Sequence, residues 1–247
     1  MKPQKLLTIG NPKTEKGEKK GYFTAVLHLA PERSAGVVNG SGAVINVCPS
    51  ADSCAVGCLN TAGRGGIIKH GETTNAIQEA RKRKTHWLFA DRPAFLRQLA
   101  KEVRAHIKRA KRLGMVAAFR LNGTSDLDWD GIAPEICAII AAAGAKRYDY
   151  TKVSNRAKRA GTGYHLTFSL SATNDAVAAD WLRAGGNVAV VFRHKHEIPK
   201  AFTIGDVTRR VIDGDESDLR FLDDYNVIVG LYAKGKARKD YSGFVRG

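Results

Sequence analysis

The sequence predicts an α/β fold, a partial (β/α) barrel of about six to seven βα units around a mostly parallel sheet. Three observations predict it. From residue 116 onward, short apolar runs alternate with helical segments, the pattern of successive βα units. The apolar runs are rich in Val, Ile, Ala and Phe, as strands buried on both faces are. The residues just after these runs are polar, and functional groups of such folds gather at strand C-terminal ends. A doubly wound open sheet is the alternative. Residues 1–42 read as a basic N-terminal arm and strand. Residues 43–247 read as a single barrel-like domain with a cysteine loop over 48–66.

Each element has a local reason. The first twenty residues are polar, rich in Lys and Gly, and include Asn11-Pro12-Lys13-Thr14, which predicts a mobile arm or a turn. Tyr22 to Leu29 reads as a strand, Pro31 to Gly42 as a loop, and Ala43 to Val47 as a short apolar strand that delivers Cys48 at its end. A helix is expected from Thr73 or Thr74 to Phe89. A second is expected from Arg92 or Pro93 to Leu113, with Asp91 as N-cap, Pro93 in the first turn and Gly114 as the stop. Its core face is Leu96, Leu99, Val103, Ile107 and Ala110, spaced by three and four. Strands follow at 116–121, 147–152, 164–170, 187–192, near 211–212 and at 227–232. Helices are expected at about 132–143 and 174–184, with a short helix or loop over 155–159. The stretch from His194 to Asp206 is too polar and irregular for a long helix.

A net charge of +16 and a hydrophobic fraction of 43% describe a basic chain with enough apolar residues for a real core. No run approaches the ~20 apolar residues of a membrane span, and no N-terminal apolar segment resembles a signal peptide. Reduced cysteines and the missing signal peptide suggest the cytoplasm. Twelve Lys or Arg against two acids fall within residues 81–112. Such a field attracts polyanions, nucleic acid or nucleotides first among them. Arg97, Lys101, Arg104, Lys108 and Lys111 form a stripe on the second helix that could track phosphates or serve only as its solvated face. Neither common nucleotide fingerprint, G-x-G-x-x-G after a strand or G-x-x-x-x-G-K-[ST], is present.

Three of the four cysteines, Cys48, Cys54 and Cys58, lie within eleven residues in a loop of small side chains. Thiolates so placed can converge on a metal ion or an iron–sulfur cluster. With only three ligands, one coordination position is open, and open positions are where chemistry occurs. Three readings stand beside one another. One is a [4Fe–4S] cluster. Another is a structural zinc site whose fourth ligand is His70, His86, His165, His194 or His196. The third is a set of buried small hydrophobes. A disulfide scaffold does not suit a chain this long and cysteine-poor. Cys137 falls in the apolar helix and reads as core.

Strand-end logic adds further candidates: Asn122, Thr124, Ser125 and Asp126, then Thr151 and Lys152 with Ser154 and Asn155. Ser169 and Ser171 come next, then Arg193 to Lys195, Lys234 and Lys236. Asp213, Asp215 and Asp218 could hold a divalent cation, though pairing with surplus Lys and Arg is the stronger expectation. No G-x-S-x-G elbow surrounds Ser169 or Ser171, which argues against a hydrolase triad.

The run Cys48-x5-Cys54-x3-Cys58-Leu59-Asn60, with Gly63-Arg64-Gly65, Arg81 to Thr85 and Arg120-Leu121-Asn122-Gly123-Thr124-Ser125-Asp126, resembles an uncharacterised family of bacteriophage proteins. The likeness covers roughly residues 44–155 and implies no activity. More remotely, the cysteine placement is similar to that of radical S-adenosylmethionine enzymes, which carry three cysteines after the first strand of a partial barrel. Their usual spacing is C-x3-C-x2-C, and a Gly-Gly-Glu run follows their next strand; here Arg120 to Asp126 stands in that place. The resemblance implies a [4Fe–4S] cluster on Cys48, Cys54 and Cys58 and S-adenosylmethionine at the open iron. On that reading Asn122, Ser125, Asp126, Lys152 and Ser169 position cofactor or substrate, and the substrate is anionic. The alternatives are a nucleic-acid-binding protein with a zinc knuckle and a non-catalytic phage protein that binds a host factor.

Overall fold

The computed structural model describes residues 5–10, 12–55, 57–159, 161 and 163–247. Asn11 and Val56, in the predicted N-terminal turn and the cysteine loop, lie outside the described residues. The chain forms a mixed α/β structure around a ten-stranded, mostly parallel sheet. Its elements are β1 (Leu7–Thr8), α1 (Pro12–Glu18), β2 (Tyr22–Leu27), α2 (Ala76–Ala90), α3 (Arg92–Arg112) and β3 (Val116–Arg120). Then come α4 (Trp129–Ile132), α5 (Pro134–Ala142), β4 (Lys146–Thr151), β5 (Tyr164–Ser169), α6 (Asp175–Arg183) and β6 (Asn187–Phe192). The chain closes with β7 (Ala201–Ile204), β8 (Val207–Asp213), β9 (Ile228–Tyr232) and β10 (Val245–Arg246).

Strands β2 to β6 lie side by side in chain order and all run parallel. Beyond β6 come β9 and then β8, both parallel, and β7 folds back on β8 as an antiparallel hairpin. At the other edge β1 pairs antiparallel with β2. The outer strands are β1 and β7, and no pairing joins them among the described residues. Parallel neighbours in chain order need crossovers, and right-handed crossovers put successive helices on one face. Two apolar clusters pack that face: Phe95, Leu99 and Val103 of α3 with Phe119 of β3, and Ala178 and Leu182 of α6 with Phe168 and Val190. The alternating residues turn the other way, and they are polar or aromatic: Arg120, Tyr148, Tyr150 and His165. A segment after β8 crosses over them. Its Phe221 meets Tyr22 and Tyr148 edge-on at 4.9 and 5.4 Å, and Lys16 donates to the Asp215 carbonyl at 3.0 Å.

Local signals succeeded best in α3. The Asp91 carboxylate accepts from the Ala94 N–H at 3.0 Å, as an N-cap does, and Gly114 stands just past the end at φ +68°, the left-handed stop glycine takes without strain. Leu99, Val103 and Ala110 are buried, and Leu96 and Ile107 pack partly against the same core. The predicted stripe Arg97, Lys101, Arg104, Lys108 and Lys111 is exposed.

Three expectations are corrected. Residues 43–47 form no strand; only an isolated bridge joins Val38 to Val44, and Val44 is 42% exposed. An apolar run without a buried ladder to join stays a loop, so Cys48 hangs on a long connection from β2. The N-terminal segment is packed, not a free arm: the Leu6 and Leu7 amides donate to Glu102, and the Lys84 ammonium donates to the Leu6 carbonyl. Among the described residues, α-helices follow only β1, β2, β3 and β5 before the next strand, and β1 pairs antiparallel with β2, so regular βα units are fewer than predicted. The helix expected at about 132–143 forms as α5, with Pro134 in its first turn, and the short α4 precedes it.

Candidate functional site

The three clustered cysteines and the five residues expected to position cofactor or substrate, Asn122, Ser125, Asp126, Lys152 and Ser169, line one cleft at the C-terminal ends of the parallel strands. It encloses about 1160 Å³ of space, part of it open to solvent. Thr124, Thr151, Asp215, Asp218 and Lys234 also line it, whereas Asn155, Ser171, Arg193, His194, Lys195, Asp213 and Lys236 do not, and Ser154 faces a second hollow near the strand N-termini.

The β3–α4 loop is a knot tied by its own side chains. The Asn122 Oδ1 accepts from the Ser125 hydroxyl (2.9 Å), the Leu127 amide (3.0 Å) and the Trp129 indole (3.2 Å). Its backbone N–H donates to Asp149 at 2.8 Å. Asp126 accepts from the Lys152 amide and the Arg156 guanidinium, each at 2.8 Å, and so couples this loop to the end of β4. Lys152 Nζ donates to the Ser169 hydroxyl at 3.0 Å, reaching the end of β5. Gly123 is squeezed beneath: a Cβ there would lie 2.6 Å from Val26 Cγ1 and 2.7 Å from the Leu27 carbonyl.

The cysteine loop is pinned from four directions. Cys48 Sγ accepts from the Glu32 amide at 3.4 Å and donates to the Thr124 carbonyl at 3.8 Å. Asp52 accepts from the Ser171 and Thr173 hydroxyls beyond β5. Asn60 accepts from the Arg81 guanidinium on α2. Cys54 packs partly against the cluster of Ala233, Ala237, Phe244 and Val245, so the C-terminal segment forms an apolar wall. All four cysteines are free thiols. Among the described residues, no three His, Cys, Asp or Glu side chains are grouped as ligands of a metal ion.

Electrostatics set the cleft's character. Burial, then the neighbouring thiols and Asp126, push the Cys48 thiol up to about 12 against the Glu32 N–H. Burial likewise raises Cys58, opposed by Arg81 and Lys152. His28, at the end of β2, is lowered to about 3 by burial and then by Arg81, Arg120 and Lys84, and is therefore neutral at physiological pH. Each of the three late aspartates has a cation: Asp213 meets Lys195 at 3.4 Å, Asp215 meets Lys234, and Asp218 meets Arg120 at 3.3 Å. Lys152 has no carboxylate partner among the described residues. Cys137 is partly buried against the apolar core and accepts from Arg147.

Sequence reasoning missed Asp52, Arg156 and Phe244. None carries a motif, and each acts through a partner far away in the chain. Arg81 counted only as part of a basic block and a family run, although its contact with Asn60 places it beside Cys58.

The family model described as Gene product 88 matches residues 5–246. No curated protein and no solved structure matches the chain. The family match is consistent with the likeness to phage proteins, and none of these comparisons brings a likeness to radical S-adenosylmethionine enzymes. Among the described residues, no helix is long and apolar enough to cross a membrane.

Proposed function

We propose that this chain, which belongs to the Gene product 88 family, is an iron–sulfur enzyme acting on an anionic substrate, a nucleotide or nucleic acid. The observation that carries this reading is that Cys48, Cys54 and Cys58 share one cleft with Asn122, Ser125, Asp126, Lys152 and Ser169. We read the sheet as a partial (β/α) barrel, supported by β2 to β6 standing in chain order and by a polar face opposite the helices.

The donor set fits a soft metal centre. Three free thiols line one cleft, and burial makes Cys48 and Cys58 poor thiolates until a cation compensates the charge. When bound, a [4Fe–4S] cluster with one iron free of protein ligands supplies single electrons to S-adenosylmethionine. The chain's own residues do the rest. Lys152, held by Ser169, offers an ammonium to an anionic group. Asp126, gripped by Arg156 and the Lys152 amide, keeps the β3 and β4 ends in register. Phe244 and Ala237 exclude water from the side of Cys54.

A second reading is favoured by the five exposed basic side chains on α3: a nucleic-acid-binding protein with zinc on the cysteine loop. Metal and acid-labile sulfide analysis with an absorption spectrum, on protein purified without oxygen, separates the two. Brown protein with iron and sulfide near cluster stoichiometry is expected, and Cys54→Ala should lose both. Colourless protein with one zinc favours the second reading. Full metal content and unchanged absorbance in Cys54→Ala, or no metal after anaerobic reconstitution, would sink the assignment.

A further inference from the structure

Residues 234–244 have two sides. One side enters the cleft through Lys234, Ala237 and Phe244. The other faces solvent with Lys236, Arg238, Lys239 and Tyr241. Tyr241 is 85% exposed, an unusual cost for a large aromatic ring. Lys236, Arg238 and Lys239 have no carboxylate partner among the described residues. The nearest acid in the chain, Asp240, is buried and turned inward to Ser242 and the Val245 amide.

This surface is held rigid. β10 pairs parallel with the end of β6. From there Arg193 donates to the carbonyl of Asp240 at 3.0 Å and to that of Arg238 at 3.4 Å. The same guanidinium lies 4.7 Å from the Tyr241 ring centroid, which fixes the ring and leaves its other face open. Exposed His194, His196 and Lys200 stand on the turn that follows Arg193.

We infer that single-stranded nucleic acid is held on this rim, with phosphates on Lys236, Arg238 and Lys239 and a base stacked on Tyr241, so that the strand passes the mouth of the cleft. Unpaired cations beside an exposed, fixed aromatic ring are what strand binders use: cations follow the backbone and the ring accepts any base. A base must leave its helix to lie on a ring, so a duplex does not fit this arrangement as well. The α3 stripe lacks an aromatic partner on its exposed positions. It also runs down the outer layer, because α3 ends where β3 begins, away from the cleft. The inference deepens the proposed reading and rests on it for the strand's destination; strand binding and metal content are measured separately, so either can fail alone.

The test is fluorescence anisotropy of labelled oligo-dT and oligo-rU, over a range of salt, on the metal-loaded full chain. Wild type should bind single strands better than a duplex of equal length. The Lys236→Ala/Arg238→Ala/Lys239→Ala variant should weaken binding at least tenfold and flatten the log–log salt slope by about 2, three phosphates at ~0.7 each. Tyr241→Ala should weaken binding roughly tenfold with the slope nearly unchanged, because stacking is not ionic. All these side chains are exposed, so iron, sulfide and melting temperature should match wild type. Wild-type affinity in the triple variant, loss of binding only in Arg97→Ala/Lys101→Ala/Arg104→Ala, preference for duplex, or binding only to anionic lipid vesicles would each overturn the inference.

Discussion

The hydroxyl of Thr173 donates to the Asp52 carboxylate at 2.6 Å, across 121 residues of sequence. Ser171 donates to the same carboxylate at 3.0 Å. One acid in the cysteine loop thus holds that loop against the chain leaving β5. The contact sets where Cys54 stands, because Asp52 also accepts from the Cys54 amide.

Asp52→Ala should therefore loosen the cysteine loop more than the whole fold. Asp52 is exposed, so global stability should drop by only about 1 kcal/mol near neutral pH, while metal occupancy falls further. Burial pushes its carboxyl up, but the Thr173, Ser171 and Ser53 hydroxyls hold it below the usual range. A lowered acid contributes above its unfolded value and loses that contribution as pH falls through its folded value. Urea denaturation should show wild type and variant converging in acid. A gap that persists below about pH 3 would contradict this account.

Asp149 should act with the opposite sign. It is 1% exposed, donates nothing when ionised, and accepts from the Asn122 amide and the Tyr164 hydroxyl. Burial raises its carboxyl to about 7, against the Asn122 N–H and the charges of Arg120 and Arg147. Folding therefore favours the protonated acid, and stability is lost as pH rises from about 4 through about 7. The upper bound for this one group is about 4 kcal/mol. Asp149→Asn keeps an acceptor for Asn122 and cannot ionise. Its denaturation midpoint should vary less with pH over that window than wild type's; an equal slope would show that Asp149 is ionised throughout.

Gly123→Ala should be among the most damaging small substitutions in the chain. The added methyl would meet Val26 Cγ1 at 2.6 Å, the Leu27 carbonyl at 2.7 Å and His28 Cδ2 at 2.8 Å. Two of those atoms belong to the neighbouring strand and cannot swing away. Overpacking of this kind costs about 1–3 kcal/mol and occasionally more, and it would push the Asn122 knot off β2. Thermal melting should fall by many degrees, with loss of metal. A wild-type melting curve would mean that β2 and β3 separate more easily than their pairing indicates.

α3 was legible in the sequence from end to end. Its cap, its stop and its two faces are written within a turn or two of one another, and local hydrogen bonds and side-chain spacing determine them. The same holds for β3 and β6, whose apolar runs are long enough to be strands in any parallel sheet. Residues 43–47 show the limit of this reasoning. Their apolar character is that of a strand, but pairing needs a free neighbouring edge, and β2 already has β1 and β3 on its two sides.

For the candidate site, sequence by itself determined the candidates: three thiols in one short loop and polar groups just beyond strand ends. Only tertiary structure decided that they share a cleft, and which of them are committed elsewhere. Asn122 is spent on its own loop, Asp218 on Arg120, and Asp52 on Thr173. Phe244 reaches Cys54 from the far end of the chain. A linear pattern records residue types and spacings along one strand or helix; the order of strands in the sheet brings distant loops to one end, and that order follows from crossovers and packing that no single segment encodes.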